Sequence, residues 1–280
     1  MLPNNQIILQ HKKSFFCCRQ LFVYTFTPKI YKNLYINNAM INNYTKIYGY
    51  HANIHALANI NRDISEIYLT KNAMAKITSS STINLSKFKI NIVDTKTLNK
   101  LLPNGQVHQG IVSLCDPKQI LSLKESDITN RNRIVFLDNI TDPRNIGAII
   151  RTCAAYGINT VITTQKFDLL DEGLIAKSAS GGLEYVDIII ANNLANFYEE
   201  LKNDNFWLIG FDSDAENKIE KISYNENDKV VAIFGDEGRG MRNLTKKYCD
   251  QIYKINPPGK IKSFNVSVAV GIILDKIAIR

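Results

Sequence analysis

The sequence predicts an α/β protein whose larger part is built on a mostly parallel sheet. Three observations carry this reading. From Ile134 onward, short runs of β-branched and aromatic residues alternate with helical periodicity, in the repeating order strand, loop, helix. Turn-rich segments follow the first, fifth and sixth of these runs, where open parallel sheets bind ligands. Upstream, residues 46–124 carry a shorter alternation of the same two periodicities, which predicts a separate small α/β unit. With 280 residues, 45% of them hydrophobic and 21% charged, the chain can bury a substantial core and is not a disordered polymer.

Charge is concentrated at the start of the chain. Met1 to Arg62 contains no Asp or Glu and seven Lys or Arg, most of the net +8. Residues 1–45 are expected to be a leader, disordered or not part of the native protein. Phe15–Phe26 is apolar but holds Arg19 and Gln20, short of the ~18 apolar residues of a membrane helix. No small-residue cleavage site follows it, as a secretory signal requires. Met40 is an alternative start that would remove five Lys or Arg and leave about +3. The acid-free stretch 1–39 also fits a mitochondrial presequence, although it has one Arg and little Ser. A cytoplasmic location is therefore expected, with a mitochondrial one as the alternative, and no membrane partner. The five cysteines are odd in number and form no CxxC, which suits inert thiols in a reducing compartment and no metal site.

In the small unit, 54–60 reads as a helix, 66–69 as a strand, 72–77 as a helix, 89–93 as a strand and 95–102 as a helix. Residues 107–114 read as a strand with His108 and Gln109 at its start. The polar run Glu125–Arg133 lacks apolar periodicity and reads as a linker to a domain spanning 134–280. There the strands are expected at 134–137, 160–163, 186–190, 207–211, 230–234 and 251–255.

Three loops follow those strands. The first, Asp138–Asn145 (DNITDPRN), leads into a helix from Ile146 to Tyr156, with Asn145 as its expected cap. Ile146, Ile149, Ile150 and Cys153 form that helix's apolar stripe, and Arg151 interrupts it. The second, Gly235–Met241 (GDEGRGM), has three glycines but neither a dinucleotide fingerprint nor a P-loop Lys. The third, Asn256–Lys262 (NPPGKIK), leads through Ser263, the expected N-cap, into a nearly all-apolar helix to about Ile279. All four His lie upstream of the linker, which argues against a Ser–His–Asp hydrolase.

DNITDPRNIGAIIRTCAAYG, IFGDEGRGM and KINPPGKIKSFNVSVAVGIIL, in this order, closely resemble the three signature motifs of the SpoU (TrmH-like) branch of the SPOUT RNA methyltransferases. The resemblance runs from Ile134 to the C-terminus. KIYGYHANIHALANINRDISEIYLT and HQGIVSL resemble the N-terminal, ribosomal-protein-like RNA-binding domain of the subfamily acting on large-subunit ribosomal RNA. The resemblance implies a trefoil knot in the C-terminal domain, a homodimer through that domain, and S-adenosylmethionine as methyl donor. Carried over by position, Gly235, Ile255 and Phe264 line the cofactor, and Asn145, Arg151, Glu237, Ser263 and Asn265 fall on active-site positions. Three positions depart from the family pattern: INPPG replaces Ile-Pro-Met before the Gly, Phe264 replaces Leu, and Asp236 adds a charge.

The implied reaction is attack of a ribose 2′-hydroxyl of RNA on the sulfonium methyl, most directly on a guanosine of large-subunit ribosomal RNA. Arg151 stays protonated and suits clasping a phosphate rather than acting as a free base. Asn145, Ser263 and Asn265 would orient the hydroxyl and ribose, and Glu237 would fix Arg151 or its own loop. His108, Gln109 and nearby lysines are candidates for RNA contact. The alternatives are the same chemistry on transfer RNA and an RNA-binding relative without catalysis. A nucleotide-dependent oxidoreductase is a more distant alternative, because it lacks the glycine fingerprint.

Overall fold

The computed structural model describes residues 44–277 except 104, 127, 166, 168, 169 and 226. The expected leader lies outside the described residues as far as residue 43, and Cys17 and Cys18 lie there with it.

The elements are β1 (Thr45–Tyr48), α1 (Tyr50–Ala58), β2 (Ile64–Leu69), α2 (Lys71–Ser80), β3 (Ile90–Ile92), α3 (Thr95–Leu101), β4 (Ile111–Cys115) and β5 (Ile120–Leu121). They continue as β6 (Arg133–Asp138), α4 (Pro143–Ala155), β7 (Thr160–Thr163), α5 (Glu172–Ala179), β8 (Asp187–Ile190), α6 (Leu194–Asn203), β9 (Phe206–Phe211) and β10 (Asn217–Lys218). The last are β11 (Lys229–Gly235), α7 (Asn243–Tyr248), β12 (Gln251–Lys254) and α8 (Val266–Ile277).

The first sheet has the order β1-β4-β2-β3, with β2 and β3 parallel and the other pairs antiparallel. The second has the order β10-β12-β9-β11-β6-β7-β8-β5, and every neighbouring pair in it is parallel. The expected mostly parallel α/β architecture is what the chain forms. Its central strands are continuous buried apolar runs, as a sheet covered on both faces requires. Two apolar clusters cover those faces. One includes Ile149, Ile150, Ile273 and Leu274, and the other Phe197, Tyr198 and Leu201.

Several expectations change. β1 and the two-residue strands β5 and β10 have too few residues to show an alternation. β5 precedes the expected linker yet forms an edge of the large sheet. The linker run includes short 3₁₀ turns at 123–125 and 128–130. It ends in Arg133, a buried residue of β6 whose Nε donates to the Ile277 carbonyl at 2.7 Å. β4 begins at Ile111, so His108 and Gln109 belong to the turn before it. The Asn145 cap is corrected: Asp142 caps α4, accepting from Arg144 N at 2.9 Å, and Pro143 takes the first helical position. The Ser263 cap is corrected too. Asn265 caps α8, its Oδ1 accepting from Ser267 N at 3.0 Å.

The small sheet packs against α5 through shared core, since Ile47, Ala52 and Cys115 join the cluster that holds Ile175 and Ala179. Beside this patch Arg62 pairs with Glu172, and its Nε lies 3.8 Å from Glu184 Oε1. Asn59 donates to Glu184 at 2.8 Å, and Glu172 accepts from Lys118 N at 3.0 Å. All three charged groups are buried, so each depends on its partner. Cys115 and Cys153 are buried, and burial pushes the Cys115 thiol up to about 12, as expected of inert packing thiols.

Gly147 makes the contact between α4 and α5 close: a Cβ there would stand 2.5 Å from Ser178 Cβ and 2.6 Å from the Ile175 carbonyl oxygen. α4 is thereby fixed against one face of the sheet by its buried Ile146, Ile149, Ile150 and Cys153, and its first turn follows the carboxyl end of β6.

His108 locks the turn before β4. Its Nδ1 accepts from Gly110 N at 2.9 Å, so Nε2 carries the proton and donates to Asn99 Oδ1 at 3.0 Å. Gln109 Oε1 accepts from Tyr50 N at 2.8 Å. These polar atoms are committed to the fold. Burial, and then the nearby Lys177 charge, hold the His108 pKa below its ordinary value. The unfolded chain therefore takes up this proton at a higher pH than the folded one. Stability is complete above the ordinary His pKa of ~6.5 and declines as pH falls through it toward the folded value. Thermal unfolding between pH 8 and 5 should show a steeper loss of Tm in the native chain than in His108→Gln; equal slopes would contradict the assignment.

Candidate active site

The three loops come together at the carboxyl ends of β6, β11 and β12. β11 lies directly beside β6, with Gly235 opposite Asp138. This brings the starts of the first and second loops side by side. Asp138 is fully buried, and its carboxylate accepts from Arg242 N at 2.8 Å and Arg242 Nε at 2.6 Å. The far end of the second loop is thus held to the start of the first. Within that loop Gly240 N donates to the Asp236 carbonyl at 2.8 Å, and Gly240 has φ +64°. A Cβ on Gly235 would lie 2.2 Å from Met241 N, so this closure requires glycine.

Closing the second loop presents Glu237 to both of its neighbours. Its Oε1 accepts from Asn145 Nδ2 at 3.0 Å, Asn265 Nδ2 at 2.5 Å and Val266 N at 3.1 Å. Asn265 Nδ2 also donates to Asn145 Oδ1 at 3.0 Å. One carboxylate oxygen therefore joins the first turn of α4, the second loop and the cap of α8. Asn265 has both amide hydrogens donated, and its Oδ1 accepts from Ser267 N and Oγ. Its capacity is filled, and its role is to position the others. Asn145 keeps one hydrogen and one lone pair, and Glu237 keeps Oε2.

A cavity of about 230 Å³ opens beside this junction. Gly235, Ile255 and Phe264 all line it, as do Glu237 and Ser263. Its apolar wall includes Phe211 and Phe234, stacked with ring centroids 5.1 Å apart. Its polar rim includes Asp212, Asp214 and Asp236, with Arg239 and Lys262. Burial raises the Asp212 pKa, but Lys246 at 2.6 Å and the backbone N–H groups of Asp214 and Met241 outweigh it and leave the carboxyl below its usual range. Sequence reading missed Asp138, Arg242 and Asp212. Each acts across a long sequence separation that leaves no local pattern.

Arg151 stands apart. It is exposed on α4, six residues beyond Asn145, which places it ~9 Å along the axis and ~120° around it. It has no partner among the described residues, and its backbone faces Gly182, where a Cβ would lie 3.0 Å from Arg151 Cα. Of the two expected roles of Glu237, fixing Arg151 or fixing its own loop, the hydrogen bonds show the second.

The family model described as the SpoU rRNA Methylase family matches residues 132–275, and that for RNA 2′-O ribose methyltransferase substrate binding matches residues 46–121. A 23S rRNA (guanosine-2′-O-)-methyltransferase RlmB of Pasteurella multocida is 34% identical over 82% of this chain and 96% of its own. Its namesake in Neisseria meningitidis is 32% identical over 84% and 94%. Among solved structures, the SpoU methyltransferase AviRb of Streptomyces viridochromogenes, in complex with the cofactor AdoMet, superposes with TM-score 0.69 at 16% identity, covering 90% of this chain and 97% of that one.

Replacing Glu237 with Ala leaves the Val266 amide without its acceptor. Hydrogen exchange at Val266 should accelerate by roughly tenfold or more in Glu237→Ala, while the buried Ile149 amide keeps its protection. Unchanged exchange at Val266 would show that the junction does not hold α8.

Proposed function

This chain belongs to the SpoU rRNA methylase family, and on that premise we propose that it methylates a ribose 2′-hydroxyl of RNA from S-adenosylmethionine, its target a guanosine of large-subunit ribosomal RNA. The observation that carries this reading is the junction of three loops at Glu237, set beside a cavity with an apolar wall and an acidic rim. The relatives with which it shares most of its length are described as 23S rRNA guanosine-2′-O-methyltransferases. Its residues 46–121 match a substrate-binding domain of this class of enzyme. We place it in the cytoplasm; no helix among the described residues is long and apolar enough to cross a membrane.

The cavity fits the cofactor by the chemistry of its lining. Phe211, Phe234, Ile255 and Phe264 offer apolar surface to an adenine ring. Asp212, Asp214 and Asp236 offer negative charge to the ammonium and sulfonium centres, and Arg239 or Lys262 a partner for the carboxylate. When bound, the cofactor supplies an electrophilic methyl group. The chain's own contribution is positioning. Asn145 and Ser263 hold the attacking hydroxyl and its ribose with their remaining hydrogen-bonding capacity, and Glu237 Oε2 is free to accept from a hydroxyl. Asn265 keeps Asn145 and Glu237 in register.

Arg151 completes the site from a second copy of the chain. Within one chain it lies on the wrong face of α4 to reach the junction. Beside the cavity, Ile261 (78% exposed), Phe264 (40%) and Val268 (49%) form an apolar row on and just before α8. A homodimer would cover that row and bring the partner's guanidinium to the phosphate next to the target ribose.

Transfer of labelled methyl from S-adenosylmethionine to a ribosomal RNA transcript tests the reaction, and paired variants test the dimer. Arg151→Ala and Asn145→Ala should each lose at least ~100-fold in rate. Co-expressed and purified as mixed dimers, the two should recover about half of native activity, because one of the two sites in each mixed dimer is whole. No recovery on mixing would place Arg151 in its own chain's site, and an Arg151→Ala chain of near-native activity would remove it from the reaction.

A further inference from the structure

A second polar groove lies in the small unit, at the carboxyl ends of the parallel strands β2 and β3. It encloses about 550 Å³, and its described lining includes Asn72, Lys76, Thr95, Gln106 and Val107. We propose that this groove binds one unpaired nucleotide of the RNA substrate at a distance from the target ribose. The proposal rests on the reading of the chain as an RNA methyltransferase and goes beyond it, to where the RNA is held.

Five features carry it. The volume falls within the ~300–1,000 Å³ typical of ligand sites, which suits one nucleotide rather than a duplex. The described lining residues include no carboxylate, whereas the larger cavity near Trp207, of about 770 Å³, sets Asp212, Asp214, Glu216 and Asp250 against Lys221 and Lys246 and keeps an excess of negative charge that disfavours phosphate. The side chains of Asn72, Thr95 and Gln106 have no partner among the described residues, so two amides and a hydroxyl face the groove with donors and acceptors available. This is the equipment that reads the edges of an unstacked base. Lys76 stands with its ammonium 3.9 Å above the Tyr50 ring, which holds the cation at the groove for a backbone phosphate. Val107 is 61% exposed and supplies an apolar lip for the face of a base.

The groove is built rigidly and tied to the site of chemistry. His108 and Gln109 lock the turn that forms its floor through their inward hydrogen bonds. Lys177 of α5 donates to the Val107 carbonyl at 2.5 Å. α5 in turn crosses α4 closely at Gly147, and α4 carries Asn145. A nucleotide in the groove and a ribose at Glu237 would therefore be held at a fixed separation, so the protein selects its target partly by its distance from an unpaired nucleotide.

The test compares the native chain with Asn72→Ala/Gln106→Ala and with Lys76→Glu, all surface changes, using an unmodified large-subunit ribosomal RNA transcript as probe. Filter binding gives the Kd across salt concentrations, and labelled transfer gives KM and kcat. We expect the double variant to lose about tenfold in affinity, with KM for RNA rising in step and kcat at saturating RNA unchanged. Lys76→Glu should weaken binding and reduce the salt dependence by about one charge. Binding by both variants within about twofold of native would overturn the groove, as would a loss confined to kcat. If the native chain methylates the transcript and the variants match it, the groove fails and the reaction stands. If the variants lose binding but the native chain transfers no methyl, the groove stands and the reading of the reaction fails.

Discussion

Three donors converge on Glu237 Oε1, and the arrangement of the site depends on that oxygen. Asn145 belongs to α4, Glu237 to the loop after β11, and Asn265 and Val266 to the start of α8. Asn145 lies 92 residues before Glu237 in the chain and Asn265 lies 28 residues after it. Loops ordered this way have already met the conformational cost that a substrate would otherwise have to meet on binding. The carboxylate is exposed, so its value lies in geometry more than in stability. It fixes which side chains face the cavity and leaves Asn145 and Oε2 with bonding capacity to offer.

The rest of the fold holds that oxygen in place. β11 runs beside β6, so the first two loops start from adjacent strand ends. The buried Asp138 clamps Arg242 and closes the second loop from behind. Gly147 lets α5 press against α4, and the buried pairing of Arg62 with Glu172 joins the RNA-binding unit to α5. Buried ion pairs add little net stability but penalise any arrangement that separates them. The small unit is therefore held against α5 by buried charge as well as by apolar packing.

Much of this was legible in the sequence, and the failures have physical causes. The central strands stood out because a sheet buried on both faces demands unbroken β-branched runs such as IVFL and VVAIF. β5 and β10, two residues each, are defined by their partners and leave no periodicity. Ser263 and Asn265 are equally competent caps, and only the hydrogen bonds decide for Asn265. The cavity lining was readable through family resemblance, because Gly235, Ile255 and Phe264 sit in contiguous motifs. The displacement of Arg151 was available from helical geometry alone, since six residues from Asn145 is not a shared face. The clamp between Asp138 and Arg242 spans 104 residues, and no local pattern announces it.

The central claim is that Asn145 and Asn265 act as one unit through Glu237. A double-mutant cycle measures this directly: methyl transfer to ribosomal RNA by Asn145→Ala, by Asn265→Ala and by the two combined. The account predicts strong non-additivity, with the double variant little slower than the slower single one, because either change already breaks the junction. Losses in rate that multiply, as for two independent contacts with substrate, would contradict it.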